Sequence, residues 1–313
     1  MTAATTTTTP PSRPLAEGGL SPFETLYDIS EGSTLPLPPE LETIYGSLRF
    51  PVTHGRPYVI GNLVTSLDGV VSLGIPGKAS GKEISGFNTH DRLLMGLLRA
   101  AADAVVSGAG TLRASPNHVL TPEHAFPLME ESYRQLRNAL GKARVPLNVV
   151  VSSSGDLGPN LTILGGEVPA LVVTSEEGSR RIAQRGKPPT SQEVRVEAAH
   201  SAGPLAATAV LDAIAGTGQG GLVLVEGGPH LMATFFAEGC LDEMFVTLSP
   251  QVVGRDGQTE RPGLVAGRSL APEHPAWGTL VGVKRAGSHL FLRYDFGAMK
   301  RAPASPSRSD IHP

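Results

Sequence analysis

Four stretches of the sequence join apolar runs to glycines and polar residues in a way that suits ligand chemistry. In LVLVEGGPHLMATFF, residues 222–236, apolar residues run into Glu226, Gly227, Gly228 and Pro229, and a helical pattern follows at once. Glycine has no Cβ, so a ligand can approach that backbone closely and a sharp turn carries no steric cost. The N–H groups that open a helix lack intrahelical partners and attract an anion such as a pyrophosphate. Glu226 at the strand tip is then placed for polar recognition of a ligand. Alone, the segment fits a plain strand–helix turn with a capping or solvated carboxylate equally well.

The other three stretches are similar in kind. In VVSGAGTLRAS, residues 105–115, Gly108 and Gly110 flank Ala109, and Thr111 adds a hydroxyl. This is neither a Walker A loop, which ends in Gly-Lys-Ser/Thr, nor a full dinucleotide fingerprint, which needs a third glycine. It suits backbone contact with a dinucleotide, or a simple turn. GNLVTSLDGVVS, residues 61–72, ends an apolar run in Ser66, Leu67, Asp68 and Gly69. Asp-Gly is a common hairpin turn, but Asn62 and Thr65 inside the run are polar groups that need partners once buried. In VVVSSSGDL, residues 149–157, three serines close a strand. They suit a phosphate, such as the 2′-phosphate that separates NADP from NAD, or an ordinary polar loop. The chain has no Gly-x-Ser-x-Gly elbow. Its nine histidines show no HExxH-type pairing, so no metal site is expected.

The elements that must position these residues follow from hydrophobic pattern. Short Val- and Leu-rich runs at 58–64, 104–108, 147–152, 170–174, 194–198, 221–226 and 243–249 lack polar alternation, as strands buried on both faces do. Between them, THDRLLMGLLRAAAD places Leu93, Leu94, Leu97, Leu98 and Ala101 on one helical face, with Thr89 as N-cap and Asp91 favouring the first turn through the helix dipole. The segments 204–216 and 229–239 open with proline and close with glycine, a helix start and stop pattern. The runs in 281–296 are more polar and read as an antiparallel hairpin at the sheet edge, with LFLRYDF as an exposed apolar strand that a dimer contact would cover. The expected architecture is a three-layer α/β/α domain with a mixed, mostly parallel sheet and antiparallel C-terminal strands. In such a sheet, ligands bind at the carboxyl ends of the strands, where all four stretches lie.

Composition sets the outer limits. The chain has 313 residues, 40% of them hydrophobic, and a formal charge of -3, enough to bury a large core and without the basic excess of a nucleic-acid surface. No apolar run reaches the roughly 20 residues that span a bilayer, and MTAATTTTTPPSRP lacks the apolar core of a signal peptide, so a cytoplasmic protein is expected. The single Cys240 excludes an intrachain disulfide framework. Residues 1–40 read as a disordered Thr/Pro-rich tail and irregular lead-in, 41–298 as one domain, and 299–313 as a second disordered tail.

NLVTSLDGVVS, LLRAAADAVVSGAGTLRAS and LVLVEGGPHLMATFFAEGCLDEMFVTLSPQVVG, in that order, resemble the reductase domain of bacterial riboflavin-biosynthesis enzymes. The resemblance covers roughly residues 55–296 and implies a dihydrofolate reductase-like fold and NADPH as hydride donor. It also implies a heterocyclic substrate similar to 5-amino-6-(5-phosphoribosylamino)uracil, whose opened ribose is reduced. By motif position it implies Val64 and Ser66 along the nicotinamide, Gly108, Gly110 and Thr111 on the cofactor, and Ser153 near the adenosine phosphate. Gly227, Gly228, Pro229, His230 and Leu231, on toward Thr234, would hold the pyrophosphate. Asn62, Arg99 and Glu226 would face substrate, and Asp68 or Glu226, or a water held by one of them, would deliver a proton. Two departures stand out. After GxGT the family carries an Asp-Pro-x-Leu-x-x-Arg segment whose arginine helps bind the substrate phosphate. Here the chain reads LRASPNHVLTPEHAF, where His118 would replace that arginine only partly. The zinc deaminase domain often fused upstream is also not seen. A pterin or folate reductase and a non-catalytic nucleotide-binding protein are the alternative readings.

Overall fold

The computed structural model describes residues 20–53, 55–75, 81–158, 160–185, 205–297 and the backbone of 194–199. Residues 1–19 of the expected tail and lead-in, and all of the expected tail at 299–313, lie outside these residues. The chain opens with β1 (Glu24–Asp28), β2 (Ser33–Thr34), α1 (Pro39–Tyr45), β3 (Arg49–Phe50) and β4 (Tyr58–Thr65). There follow α2 (Gly81–Ile84), α3 (Thr89–Ala101), β5 (Ala104–Gly108), α4 (Ala109–Ala114), α5 (Pro122–Ala125), α6 (Glu130–Ala139) and β6 (Leu147–Ser152). The C-terminal half holds β7 (Ala170–Ser175), α7 (Glu176–Gln184), β8 (Val194–Ala199), α8 (Ala207–Ala215), β9 (Leu222–Val225), α9 (Pro229–Ala237), β10 (Glu243–Leu248), β11 (Thr279–Ala286) and β12 (His289–Asp295).

Ten strands form one sheet in the order β1-β11-β12-β10-β4-β9-β5-β6-β7-β8, parallel from β10 to β8 and antiparallel across β10, β12, β11 and β1. The unbroken apolar runs are strands covered on both faces, as their pattern requires. On one face Tyr58, Ile60, Val105, Leu224 and Phe245 pack with residues of α1, α3 and α6. On the other, Val59, Val106, Val223 and Met244 pack with α8 and α9. The expected three-layer mixed architecture is the observed one. β9, late in sequence, lies between β4 and β5, so the ends of all three strands meet at one place.

The residues before 41 depart from expectation. Far from being tail, β1 pairs antiparallel with β11, and Phe23 beside it packs edge-on against Tyr45 at 5.3 Å and Phe291 at 4.8 Å. One buried aromatic suffices to tie a polar lead-in to the sheet. LFLRYDF is not an edge either: β12 is paired on both sides, by β10 and β11, and β1, beyond β11, is the edge strand. The argument for a dimer built on that strand therefore falls. The helix expected from residue 204 starts at Ala207, with Ala206 as its N-cap, while α9 starts at Pro229 as expected.

α3 carries several of the residues that matter, and its two ends are fixed by side chains. Asn88 caps its N-terminus, accepting from the Asp91 N–H at 3.0 Å. At its C-terminus the buried Arg137 of α6 donates from Nη1 to the carbonyls of Arg99 (3.3 Å), Ala100 (3.1 Å) and Ala102 (2.7 Å), groups that otherwise have no helical partner. α3 also meets α6 at Gly96, where an added Cβ would lie 2.4 Å from the Tyr133 hydroxyl. That hydroxyl donates to the Leu93 carbonyl at 3.0 Å. Gly96→Ala is expected to displace Tyr133 and lower stability by about 1–3 kcal/mol. Urea unfolding monitored by circular dichroism would measure it; an unchanged midpoint would show that α3 and α6 can separate freely.

Candidate active site

Glu226 follows β9 directly, and its side chain turns to the α3 face of the sheet. There the Arg99 guanidinium meets its Oε2 through both Nε and Nη2, each at 2.8 Å. The arginine side chain is 1% exposed and that of the glutamate 7%. The remaining Arg99 donors are also used. Nη1 donates to the carbonyls of Val119 (3.2 Å) and Thr121 (3.1 Å), and Nη2 to His118 Nε2 (2.9 Å). The loop offering those carbonyls is itself pinned, since the buried Asn148 side chain accepts from the Leu120 N–H at 2.8 Å.

A guanidinium has only donors, so His118 Nε2 must accept, which assigns the ring proton to Nδ1 and leaves the ring neutral. Burial, with Arg99 second, pushes the His118 pKa down to about 2. His124, edge-on at 4.8 Å, is lowered for the same reasons. His118 therefore supplies no cation for a substrate phosphate and does not stand in for the missing arginine.

Asn62, on β4, sits next to this pair. Its Nδ2 lies 3.5 Å from Glu226 Oε1, and its buried Oδ1 has no partner among the described residues. The structure thus brings together Asn62, Arg99 and Glu226. Half-buried Val64 lies two residues further along the same strand face, paired in register with Thr247 of β10.

A residue that sequence reasoning missed joins them. Asp91 was expected to serve the dipole of α3, yet its side chain turns inward and the residue is only 5% exposed. Its carboxyl lies near the Thr247 and Ser85 hydroxyls, of which the Ser85 hydroxyl donates to the Lys82 carbonyl at 3.1 Å and the Thr247 hydroxyl has no partner among the described residues. Burial foremost, reinforced by the nearby Glu226 charge and opposed by the two neighbouring hydroxyls, pushes its pKa up to about 6. A signal was present in the sequence: Asp91 lies three and seven residues before Leu94 and Leu98, on the apolar stripe of the helix.

Asp68 and Ser66 belong to a separate arrangement. Asp68 accepts from Ser66 Oγ (2.6 Å), Val253 N (3.1 Å) and Gly254 N (2.7 Å), bonds that hold its pKa far below the usual carboxylate range. A carboxylate so engaged has no proton to give at neutral pH, so its expected part in proton delivery does not fit this geometry. It clamps the loop at 253–254 against the turn after β4. Ser66 spends its hydroxyl in the same turn, donating to Asp68 and accepting from the Val70 N–H at 2.9 Å.

The two glycine seams converge. A Cβ on Gly228 would lie 3.2 Å from Thr111 Oγ1, so the EGGP and GxGT turns touch; around Gly108 the space a Cβ would take is open. Gly227 is required by packing, since a Cβ there would lie 2.4 Å from Leu231. At the start of α9 the Leu231 and Met232 N–H groups both donate to the Gly228 carbonyl (3.0 and 3.1 Å), and Pro229 has no N–H. That leaves His230 N–H as the first-turn donor facing outward. This open, Cβ-free cradle with a hydroxyl at its wall fits the backbone approach of a dinucleotide. Ser153 lies apart from the EGGP and GxGT turns, at the tip of β6, where its Oγ accepts from the Leu205 N–H at 3.3 Å. Nearby, Asp156 is shared by Arg185, at 3.0 Å, and Arg113.

Comparison with known proteins gives the family and the fold. The family described as the RibD C-terminal domain matches residues 57–270. A 2,5-diamino-6-ribosylamino-4(3H)-pyrimidinone 5′-phosphate reductase of Archaeoglobus fulgidus is 30% identical over 209 residues, 65% of this chain and 85% of that protein. The enzyme of the same description from Methanothermobacter thermautotrophicus is 29% identical over 207 residues, covering 65% and 83%. Among solved structures, RibD of Acinetobacter baumannii superposes with a TM-score of 0.57 at 20% identity, over 77% of this chain and 58% of that longer one. A pyrimidine reductase-like protein of Corynebacterium diphtheriae gives 0.55 at 22% identity, over 83% and 95%. These structural likenesses establish the fold.

The Arg99–Glu226 pair yields a test of its own. Arg99→Met leaves Glu226 buried without its cation and is expected to lower stability by about 3–5 kcal/mol. Arg99→Met combined with Glu226→Leu removes both charges and is expected to recover most of that loss. Chemical unfolding of both variants checks this; a double variant as unstable as the single one would mean that the guanidinium's bonds to the 119–121 loop outweigh the ion pair.

Proposed function

The chain belongs to the RibD C-terminal domain family, and from that premise we propose that it is an NADPH-dependent oxidoreductase that reduces the opened ribose of a phosphoribosylaminopyrimidine. The observation that carries the reading is the buried Asn62–Glu226–Arg99 arrangement at the ends of β4 and β9, beside the joined glycine turns. The bound nicotinamide would supply the hydride; the protein's part is to align the reactants and exclude water.

Gly108, Gly110, Thr111 and Gly227 through Leu231 are the cofactor cradle in this proposal, with Val64 and the backbone near Ser66 along the nicotinamide. Ser153 then lies at the adenosine end, where Arg113 and Arg185 share the single carboxylate of Asp156. That surplus of positive charge supports a 2′-phosphate there and hence NADPH over NADH. Glu226, rather than Asp68, is the group favoured to hold the water that passes a proton to the reduced centre, since its Oε1 has only the long contact to Asn62. For the substrate phosphate, the exposed Lys82 on α2 is close enough to depress both His118 and His124 and is the cation favoured in place of the family arginine. The proposal includes a cytoplasmic enzyme. It includes a homodimer as well, for which the 80% exposed Trp277 offers apolar contact surface.

Titration with NADPH and NADH, followed by fluorescence, is expected to show tighter NADPH binding. Arg113→Ala is expected to weaken NADPH roughly tenfold to a hundredfold and to leave NADH unaffected. In turnover of the phosphoribosylaminopyrimidine, Glu226→Gln is expected to lower kcat by about 10²-fold or more. No binding of either nucleotide would remove the cofactor assignment, and unchanged turnover in Glu226→Gln would remove the glutamate from the chemistry.

A further inference from the structure

We propose that His289, at the start of β12, is a positioning residue for the substrate side of the site: its neutral ring latches the corner between α2 and α3, and protonation releases that corner. The inference goes beyond the reductase reading, on which only its effect on turnover rests.

The corner borders the site through both helices. α2 lies over the end of β4, where a Cβ on Gly81 would come within 3.7 Å of Val64 Cγ1. α3 carries Arg99, which holds Glu226. Between the two helices the chain turns sharply through Gly86 (φ 63°) and Phe87 (φ 57°). A phenylalanine in the left-handed region is strained and persists only where its surroundings fix it. Phe87 does not anchor itself, because it is 59% exposed. The anchor comes from β12.

His289 spans the turn. Its Nε2 lies 2.9 Å from the Ser85 carbonyl, and its Nδ1 lies 3.0 Å from Asn88 Nδ2. A carbonyl only accepts, so Nε2 carries the proton. Asn88 is not free to turn its amide over, because its Oδ1 caps α3 by accepting from the Asp91 N–H at 3.0 Å. Its Nδ2 must therefore donate to an unprotonated Nδ1. Three hydrogen bonds thus agree on one state, the neutral Nε2–H tautomer. A second proton on the ring would set Nδ1–H against the Asn88 amide hydrogens, donor against donor. Relief requires either loss of the His289–Asn88 contact or an amide flip that uncaps α3.

The electrostatic surroundings agree. Burial lowers the His289 pKa below 6.5, the Ser85 carbonyl opposes this, and His90 of α3 adds to it. The other charged residues on the flanking elements exert no comparable pull on the ring: Lys82 and Glu83 on α2, Asp91 on α3, and the Arg285–Glu24 pair across β11 and β1. A histidine held neutral in this way contributes stability that is fully present above its unfolded pKa, near 6.5, and lost as pH falls toward the folded value. The corner is therefore closed at neutral pH and released in acid.

Asn88→Asp keeps the cap and offers Nδ1–H a carboxylate acceptor. It is expected to raise the His289 pKa by about one pH unit or more. NMR of the full chain with labelled histidine reads that pKa and the tautomer, the His289 signal being the one that His289→Gln removes. Hydrogen exchange over residues 86–92, corrected for the intrinsic effect of pH, is expected to quicken about tenfold or more in the wild-type protein between about pH 7.5 and about pH 5. His289→Gln, whose amide offers a donor and an acceptor but does not titrate, is expected to lose that response. An Nδ1–H tautomer, a pKa indifferent to Asn88→Asp, or an unchanged exchange response in His289→Gln overturns the latch. Turnover of 2,5-diamino-6-ribosylamino-4(3H)-pyrimidinone 5′-phosphate is read separately at neutral pH. There His289→Phe, with a ring but no nitrogen, is expected to raise KM about tenfold with a smaller change in kcat, and His289→Gln to recover most of that loss. An unchanged KM in His289→Phe overturns the positioning role and leaves the reductase reading intact. A latch seen by NMR in a protein that does not reduce this compound counts against the reductase reading and confines His289 to its conformational role.

Discussion

One guanidinium organises the ligand end of this fold. Arg99 is buried, and every hydrogen-bonding nitrogen it has is answered: by Glu226, by the carbonyls of Val119 and Thr121, and by the neutral ring of His118. Moving such a pair out of water costs several kcal/mol per ion, and only good geometry with the remaining donors satisfied offsets it. That requirement reaches outward. The carbonyls must be held, so Asn148 pins the loop that carries them. The helix must not fray where Arg99 sits, so Arg137 covers its last carbonyls. The strand must deliver Glu226 to the correct face, and this follows from its two-residue offset from Leu224, which packs on the α3 side.

Topology makes the arrangement possible. Glu226 and Asn62 are far apart in sequence, but β9 enters the sheet between β4 and β5. Parallel strands reached by crossovers end on the same side, so the residues just past their tips share one crevice. The two faces of the sheet divide the chemistry. Toward α3 lie the charged and amide groups, and at the strand tips lie the glycine turns, where the backbone is left bare of side chains. The contact between Gly228 and Thr111 joins the turns after β9 and β5 into one surface.

Much of this was legible in the sequence, for physical reasons that also explain the failures. Unbroken Val and Leu runs can only be doubly covered strands, so the parallel core followed directly. Proline before and glycine after a helical pattern located α9. The lead-in was misjudged because composition averages over a segment, while a single phenylalanine, Phe23, anchors it. β12 was misjudged because the C-terminal hairpin enters the sheet with β12 inward, against β10, so that β11 covers its other side. At the site, Arg99, Asn62 and Glu226 were identified as separate residues, but their mutual contact depends on strand order, which spacing does not encode. Asp68 looked like a catalytic acid because its type and turn were right. Only its three donors show that it is engaged in holding two loops together.

Asp91 shows the limit most clearly, and the balance of charge explains its interest. Arg99 neutralises Glu226, so the buried site carries one further carboxyl with no cation among the described residues to match it. A group whose folded pKa stands above its unfolded value contributes stability that is fully present below the unfolded pKa, ordinarily near 3.8, and lost as pH rises through about 6. At neutral pH Asp91 is therefore a burden on the folded state. Proteins retain such burdens where activity needs them, since selection keeps stability only above a threshold. The dipole argument that first explained Asp91 predicts the opposite sign, a residue that stabilises its helix while facing solvent. Two readings of one aspartate thus differ in the direction of its effect on stability, and burial on the apolar stripe of α3 decides for the second.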